Sequence, residues 1–338
     1  MQYIPPDKKN SDRDDYIDFL RGMGLLLLVV AHTWAPITLS TLRTFDVPLM
    51  VMISAMCYKP VKKDLKSVKR YLWKRFLRIY IPVFTFVNIF FIAILAREAY
   101  IDKNVFSVYQ YIGSLFLLNA PSIGYVWIMR VFLMMALILP FIEPLIKKLN
   151  IGFLIFTLFI IVFLQEGVII GFDYIPDGIG KFVLSETVPY IVGYSLFTAI
   201  GVRINSLSYS GKVILTLVGT IGCIIYVCLT DNYNPQMDKY PPHGLYLLWG
   251  WCGSCICIIS KPLLSHVSKW KFWGYLSRYS MWIYLWHIVP VYIITPLSHR
   301  PQLWITRYIL VLCVALGLNW LYHLCISSFP KNIHKYIS

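Results

Sequence analysis

The chain has 338 residues, 58% hydrophobic and only 14% charged; so apolar a composition excludes an ordinary soluble domain and fits a polytopic membrane protein. The net charge of +15 would suit nucleic acid, but the basic residues sit in short segments between apolar runs. Nucleic acid is therefore excluded as a partner, and membrane lipids are expected instead.

Apolar runs predict an all-α bundle of about ten transmembrane spans, near 17–38, 44–58, 79–96, 123–146, 151–171, 185–201, 211–230, 244–260, 276–297 and 304–326. The first run has no small-residue cleavage site and continues past His32, Trp34 and Pro36, so it reads as a retained span, not a signal peptide. The second is short and is expected to tilt little or to thin the bilayer. Residues 105–119 are moderately apolar and read as a re-entrant or interfacial helix. No second soluble domain, linker or internal repeat is evident; residues 1–338 form one domain, with short tails at 1–16 and 327–338.

Orientation follows from the basic residues. With the N-terminus inside, most of the 31 lysines and arginines fall on the inner side, the densest stretch being Lys59, Lys62, Lys63, Lys66, Lys69, Arg70, Lys74, Arg75 and Arg78. Both termini are therefore expected in the cytoplasm. Outer loops carry Asp102, Asp173, Asp177, Asp231 and Asp238. The eight cysteines lie mostly in apolar runs, where buried free thiols are expected rather than disulfides. Cys252 and Cys255 mimic a redox pair, but their apolar flanks favour small residues packing helices.

Four constellations carry possible chemistry. Arg21 and His32 flank ten residues of the first span. A straight helix would put His32 roughly 16 Å beyond Arg21, near mid-membrane. Ionisable groups at that depth face the bundle interior or a wet cavity. Asp18 precedes Arg21 by three residues and can pair with it; an interfacial ion pair and a hydrogen-bonded histidine between helices would give the same pattern. Arg75 and Arg78 enter the third span on one face, where planar guanidinium forks suit phosphate, though membrane anchoring alone also explains them. Ser280, Tyr284 and His287 form a polar stripe in the ninth span, with Trp286 beside it; a lining role and a plain helix contact both fit. Lys239-Tyr240-Pro241-Pro242-His243 is a stiff outer loop entering the eighth span, either a rigid cap or an entry point.

Together these motifs resemble the membrane acyltransferase-3 family. The resemblance rests on Arg21 with His32, on Arg75-x-x-Arg78, on Ser280, Tyr284, Leu285 and His287, and on Val47-Pro48-Leu49 running to Ser54, where Ala55 stands in place of the usual glycine. The Lys239–Pro242 run also looks like one seen in some members. The resemblance spans nearly the whole chain and implies a stand-alone membrane O-acyltransferase of the bacterial plasma membrane. It implies acyl-CoA as co-substrate, most often acetyl-CoA, with no metal, and a glycan or lipid-linked saccharide as acceptor.

On this reading Arg21, Arg75 and Arg78 bind the donor's phosphates. His32 is general base or acyl-relay nucleophile. His287 and Tyr284 orient the acceptor or stabilise the oxyanion, and Ser280, Trp286, His243 and Trp127 line the acceptor's path. A carrier of a glycan or lipid-linked sugar is the alternative, although neither an inverted repeat nor a broken pair of helices is apparent. A receptor or structural bundle would need none of the polar stripe.

Overall fold

The computed structural model describes residues 14–62, 64–101, 106–294 and 301–327. The tails at 1–13 and 328–338, and Asp102 of one expected outer loop, lie outside the described residues. The chain runs through α1 (Asp15–Val30), α2 (Ile37–Leu42), α3 (Asp46–Met56), α4 (Leu65–Ile101), α5 (Val108–Leu115), α6 (Trp127–Ile146) and α7 (Ile151–Phe172). It continues through α8 (Ile179–Ser185), α9 (Val188–Ile204), α10 (Tyr209–Thr230), α11 (Gly244–Ile259), α12 (Lys261–Ser268), α13 (Lys271–Ile294) and α14 (Trp304–Ser327). Among the described residues the only extended pairing is a single bridge between Lys239 and Pro242.

Local chemistry sets several boundaries. The Asp14 carboxylate caps α1 by accepting from the Tyr16 N–H at 2.9 Å, Asn150 caps α7 through the Phe153 N–H at 2.9 Å, and Ser208 caps α10 through the Gly211 N–H at 3.1 Å. Each satisfies a helix-end donor that hydrocarbon would leave orphaned. The last residue before α11 is His243, and Glu166 of α7 takes over the capping, accepting from the Gly244 N–H at 2.5 Å.

Each apolar stretch of the sequence falls on a helix. Among the described residues seven helical segments are long and apolar enough to cross a membrane, and α11 with α12 makes an eighth if the bent pair is one span. That pair breaks by 68° at Ser260, contrary to the expectation of no broken pair. The 16-residue α1 and α13 are outside the seven. These two are the helices that carry polar side chains into the centre of the bundle.

Three boundaries differ from expectation. The first span does not continue to residue 38: α1 stops at Val30, tight turns close at Ala31, His32 and Thr33, and Pro36 starts a new direction because its ring cannot extend a helix. The short second span is replaced by a run from Ile37 to Met56, in which α2 and α3 join through a 3₁₀ turn at Arg43–Phe45. The third begins at Leu65, not 79, so the dense basic segment is helical rather than a loop from Lys66 to Arg78. The 37 residues of α4 make roughly 55 Å of helix against a hydrocarbon core of about 30 Å. The basic stretch Leu65–Arg78 is the part that stands outside.

The core lies between α1, α3, α9, α11 and α13, where Leu25, Leu49, Met52, Ile53, Phe197, Ile200, Leu247, Trp251 and Ile283 are fully buried. The outer faces of α7, α10 and α14 expose Phe163, Ile224, Leu229 and Ile309, as lipid contact requires. All eight cysteines are free, but only Cys223 and Cys255 are buried; Cys57, Cys228, Cys313 and Cys325 are exposed, contrary to the expected burial. Gly201 permits the close approach of α9 to α3: a Cβ there would stand 2.3 Å from the Met52 carbonyl oxygen and 2.8 Å from the Ala55 Cβ.

Gly201→Val should therefore destabilise the bundle by about 1–3 kcal/mol, read as a lower Tm in detergent. Gly317→Ala, whose Cβ meets nothing within 4 Å, should leave Tm unchanged.

Candidate active site

His32 and His287 meet at the centre of the bundle, with His32 Nδ1 and His287 Nε2 3.0 Å apart. The rings lie nearly parallel, 5.0 Å between centroids. His287 is fully buried and His32 half-buried. The His287 Nδ1 bonds the carbonyl of Tyr284, one turn earlier in α13. A carbonyl only accepts, so His287 carries its proton on Nδ1 and presents Nε2 as an acceptor. His32 must then donate through Nδ1, which leaves its own Nε2 with a free lone pair. This hydrogen-bond chain defines one basic nitrogen, that of His32.

His32 does not stand on the continuous helix face that the sequence suggested. It lies in the turn after α1, so its position relative to Arg21 depends on that turn. Trp34 follows with φ at +53°, a left-handed conformation rare for a bulky residue. Arg307 of α14 donates to the Thr33 carbonyl at 3.2 Å and places its guanidinium 5.2 Å from the centre of the Trp34 ring. A cation thus sits on the carbonyl end of α1, where it is favoured.

The third wall of the dyad is Tyr125, whose ring meets His32 edge-on at 4.7 Å. Tyr125 belongs to the segment between α5 and α6. Two tyrosines of α13 pin that segment: Tyr284 donates its hydroxyl to the Tyr125 carbonyl and Tyr292 donates to the Ile123 carbonyl at 3.3 Å. Gly113 of α5 makes room for it, since a Cβ there would stand 1.5 Å from the Pro121 carbonyl oxygen. Tyr284 is therefore committed to positioning Tyr125. Ser280 is half-buried and about two turns before His287 in α13. Trp286 is buried against Trp282, Phe86 and Tyr322.

Towards the start of α1, Arg21 donates to Ser277 Oγ at 3.1 Å and Ser277 donates to Asp18 Oδ1 at 2.6 Å. The serine of α13 thus links the two charged residues of α1. Arg21 also reaches Cys57 Sγ at 3.5 Å. On α4, Arg75 packs 5.4 Å from the centre of the Tyr71 ring. Arg75 and Arg21 are the charges that bear on Arg78, and among the described residues no carboxylate forms an ion pair with Arg75 or Arg78. The three expected donor-binding arginines therefore gather at one end of the bundle, Arg21 linked to Asp18 through Ser277, and Arg75 and Arg78 without a carboxylate in ion-pair distance.

The opposite end is also polar. Arg43 and Asp46 form a buried ion pair at 2.6 Å, extended by Arg43 to Gln236 at 3.1 Å. Arg130 pairs with Glu186 and stacks on Tyr190 at 4.8 Å. Lys239 is buried, its ammonium 5.5 Å from the ring centres of Trp127 and Tyr240, and burial pushes its pKa down to about 8. Trp127 and Tyr240 meet edge to face at 4.9 Å. His243 is engaged by α7: its Nδ1 lies 3.2 Å from Glu166 Oε2. Ser277, Tyr125 and Glu166 escaped sequence reasoning because their partners come from distant helices. Among the described residues no three His, Cys, Asp or Glu side chains gather to hold a metal ion.

A family model described as an acyltransferase domain matches residues 14–324, nearly the entire chain. No curated protein and no solved structure matches it.

The hydrogen bond from Glu166 holds the His243 imidazolium and raises its pKa above the ordinary 6.5. That contribution is complete below about pH 6.5 and is lost as pH rises through the elevated value. Glu166→Gln keeps an acceptor for the Gly244 N–H but removes the charge. It should lower Tm more at pH 6 than at pH 9 by differential scanning fluorimetry; equal losses at both would count against the ion pair.

Proposed function

We propose that this chain, which belongs to the acyltransferase-3 family, is an O-acyltransferase that moves an acyl group from cytoplasmic acyl-CoA to a saccharide hydroxyl. Acetyl-CoA is the first donor to test, and a surface glycan or lipid-linked saccharide the acceptor. The observation that carries this reading is the hydrogen-bond chain that leaves His32 Nε2 basic. It lies between an arginine cluster at one end of a multi-pass membrane protein and an aromatic, cationic chamber at the other.

In the proposed reaction, Arg75, Arg78 and Arg21 bind the donor's phosphates as charge-assisted hydrogen-bond donors. The slim pantetheine arm extends along α1 and brings the thioester to His32. His32 Nε2 removes the acceptor's hydroxyl proton as that oxygen attacks the thioester carbonyl. The C–S bond breaks, the ester forms, and the departing thiolate takes the proton from His32. In a relay, the same lone pair attacks first, and an acyl-imidazole passes the group on. His287 acts through His32, fixing its tautomer and sharing the positive charge that forms. Tyr284 is a positioning residue for Tyr125. Ser280, Trp286 and Trp127 lie along the acceptor's path, and His243 holds the mouth of that path.

The reading orients the arginine end to the cytoplasm of a bacterial inner membrane, with both termini inside. Counting α1 and α13 as crossings beside the seven apolar segments and the α11–α12 pair gives ten. The carrier alternative gains one observation, the 68° break between α11 and α12. That break lies at the arginine end, near Lys261, rather than beside the dyad, where a carrier's half-helix ends would meet substrate.

His32→Ala should lower acyl-CoA-dependent thiol release by at least about 100-fold while acetyl-CoA binding by calorimetry persists; near wild-type turnover would remove His32 from the reaction. Arg78→Ala should raise the donor KM by about tenfold or more with a smaller change in kcat. An unchanged KM would make Arg78 an anchor of α4 alone.

A further inference from the structure

We propose that Lys239 is the recognition cation for the acceptor, and that the acceptor is an acidic saccharide, one bearing a carboxylate or a phosphate. The word acceptor rests on the acyltransferase reading above; the binding site itself does not.

Lys239 lies in the segment between α10 and α11, which turns inward so that the residue is only 3% exposed. Its ammonium stands 5.5 Å from the ring centres of both Trp127 and Tyr240. Among the described residues no carboxylate is within ion-pair distance of it. The acid that bears on it is Asp46, and Asp46 is already engaged by Arg43 at 2.6 Å and by the Val47 N–H at 2.7 Å. Lys239 and Arg43 against Asp46 leave one positive charge in excess. Taking a charge out of water without a partner is costly, and two aromatic rings offset that cost only in part. The arrangement lacks an anion.

The donor's phosphates cannot be that anion on the proposed reading, because Arg21, Arg75 and Arg78 hold them at the other end of the bundle. Lys239 has a packed route to the chemistry through the Trp127 ring beside its ammonium. Trp127 leads on to the wall of the dyad, since Tyr125, two residues before it, packs on His32 at 4.7 Å. Aromatic rings beside one orienting cation suit a sugar ring carrying a negative group. A saccharide whose anion sits on Lys239 would point a neighbouring hydroxyl towards His32.

The test is calorimetric binding of methyl glucuronide, glucose 1-phosphate and methyl glucoside to purified wild type, Lys239→Met and Lys239→Arg. Thiol release from acetyl-CoA and from succinyl-CoA is measured in parallel. Wild type should bind at least one acidic sugar about tenfold or more tighter than the neutral glucoside. Lys239→Met should level the affinities, and Lys239→Arg should keep the preference and so exclude a folding defect. Preference for the glucuronide or for the phosphate alone identifies which anion is read, and either outcome supports the proposal. Equal affinities, no binding to wild type, or a preference that survives in Lys239→Met would overturn it. So would a Lys239→Met effect confined to succinyl-CoA against acetyl-CoA, since Lys239 would then read the acyl group. Acidic-sugar preference without any thiol release would instead defeat the acyltransferase reading and leave the site standing.

Discussion

The hydrogen bond between His32 and His287 joins the end of α1 to the middle of α13 in a region where water cannot satisfy polar groups. Inside a membrane protein each imidazole must find its partners among the helices, and the two histidines do so in a fixed order. The Tyr284 carbonyl takes the first proton, His287 takes the second, and one nitrogen of His32 is left over. Much of the surrounding structure serves to hold that order. Tyr284 and Tyr292 pin the Tyr125 segment over His32, Gly113 gives the segment room, and Arg307 holds the carbonyl end of α1.

The charges divide between the two ends of the bundle in different ways. At the arginine end, Arg21, Arg75 and Arg78 are half-buried or exposed, and among the described residues Arg75 and Arg78 have no carboxylate in ion-pair distance, which suits a large, mobile polyanion arriving from water. At the other end the charges are buried and mostly paired, Arg43 with Asp46 and Arg130 with Glu186. Buried pairs are poor sources of stability but are costly to break, so they fix side-chain positions. Lys239 stands among them without a carboxylate of its own. A soluble polyanion at one end and a smaller, oriented anion at the other would fit this difference.

The two helices that carry the dyad's surroundings, α1 and α13, are not among the segments long and apolar enough to cross a membrane alone. Because α13 carries Ser277, Ser280, Tyr284 and His287, and α1 carries Asp18 and Arg21 before it ends at Val30, neither meets the length and hydropathy of a free-standing span. Their neighbours α4 and α14 turn large apolar side chains such as Ile92 and Ile309 outward and shield them. The bundle thus separates its roles: outer helices match the bilayer, and inner ones carry polarity that the bilayer would reject.

The sequence by itself determined the helical class, the position of nearly every apolar segment and the residues of the dyad. His32 and His287 are conspicuous because an ionisable group in an apolar run has no bland local reason to be there. The spacing of Arg75 and Arg78 placed both on one helix face for the same reason of periodicity. Only the tertiary structure decided that α1 stops short of His32, because a turn closed by Thr33, Trp34 and Pro36 competes with helix continuation and its outcome depends on Arg307 from α14. It alone brought Ser277 between Asp18 and Arg21, Tyr125 onto His32 and Lys239 between two aromatic rings. These contacts join residues far apart in the chain, and a pattern of period 3.6 carries information about one helix face but none about which distant side chain will meet it.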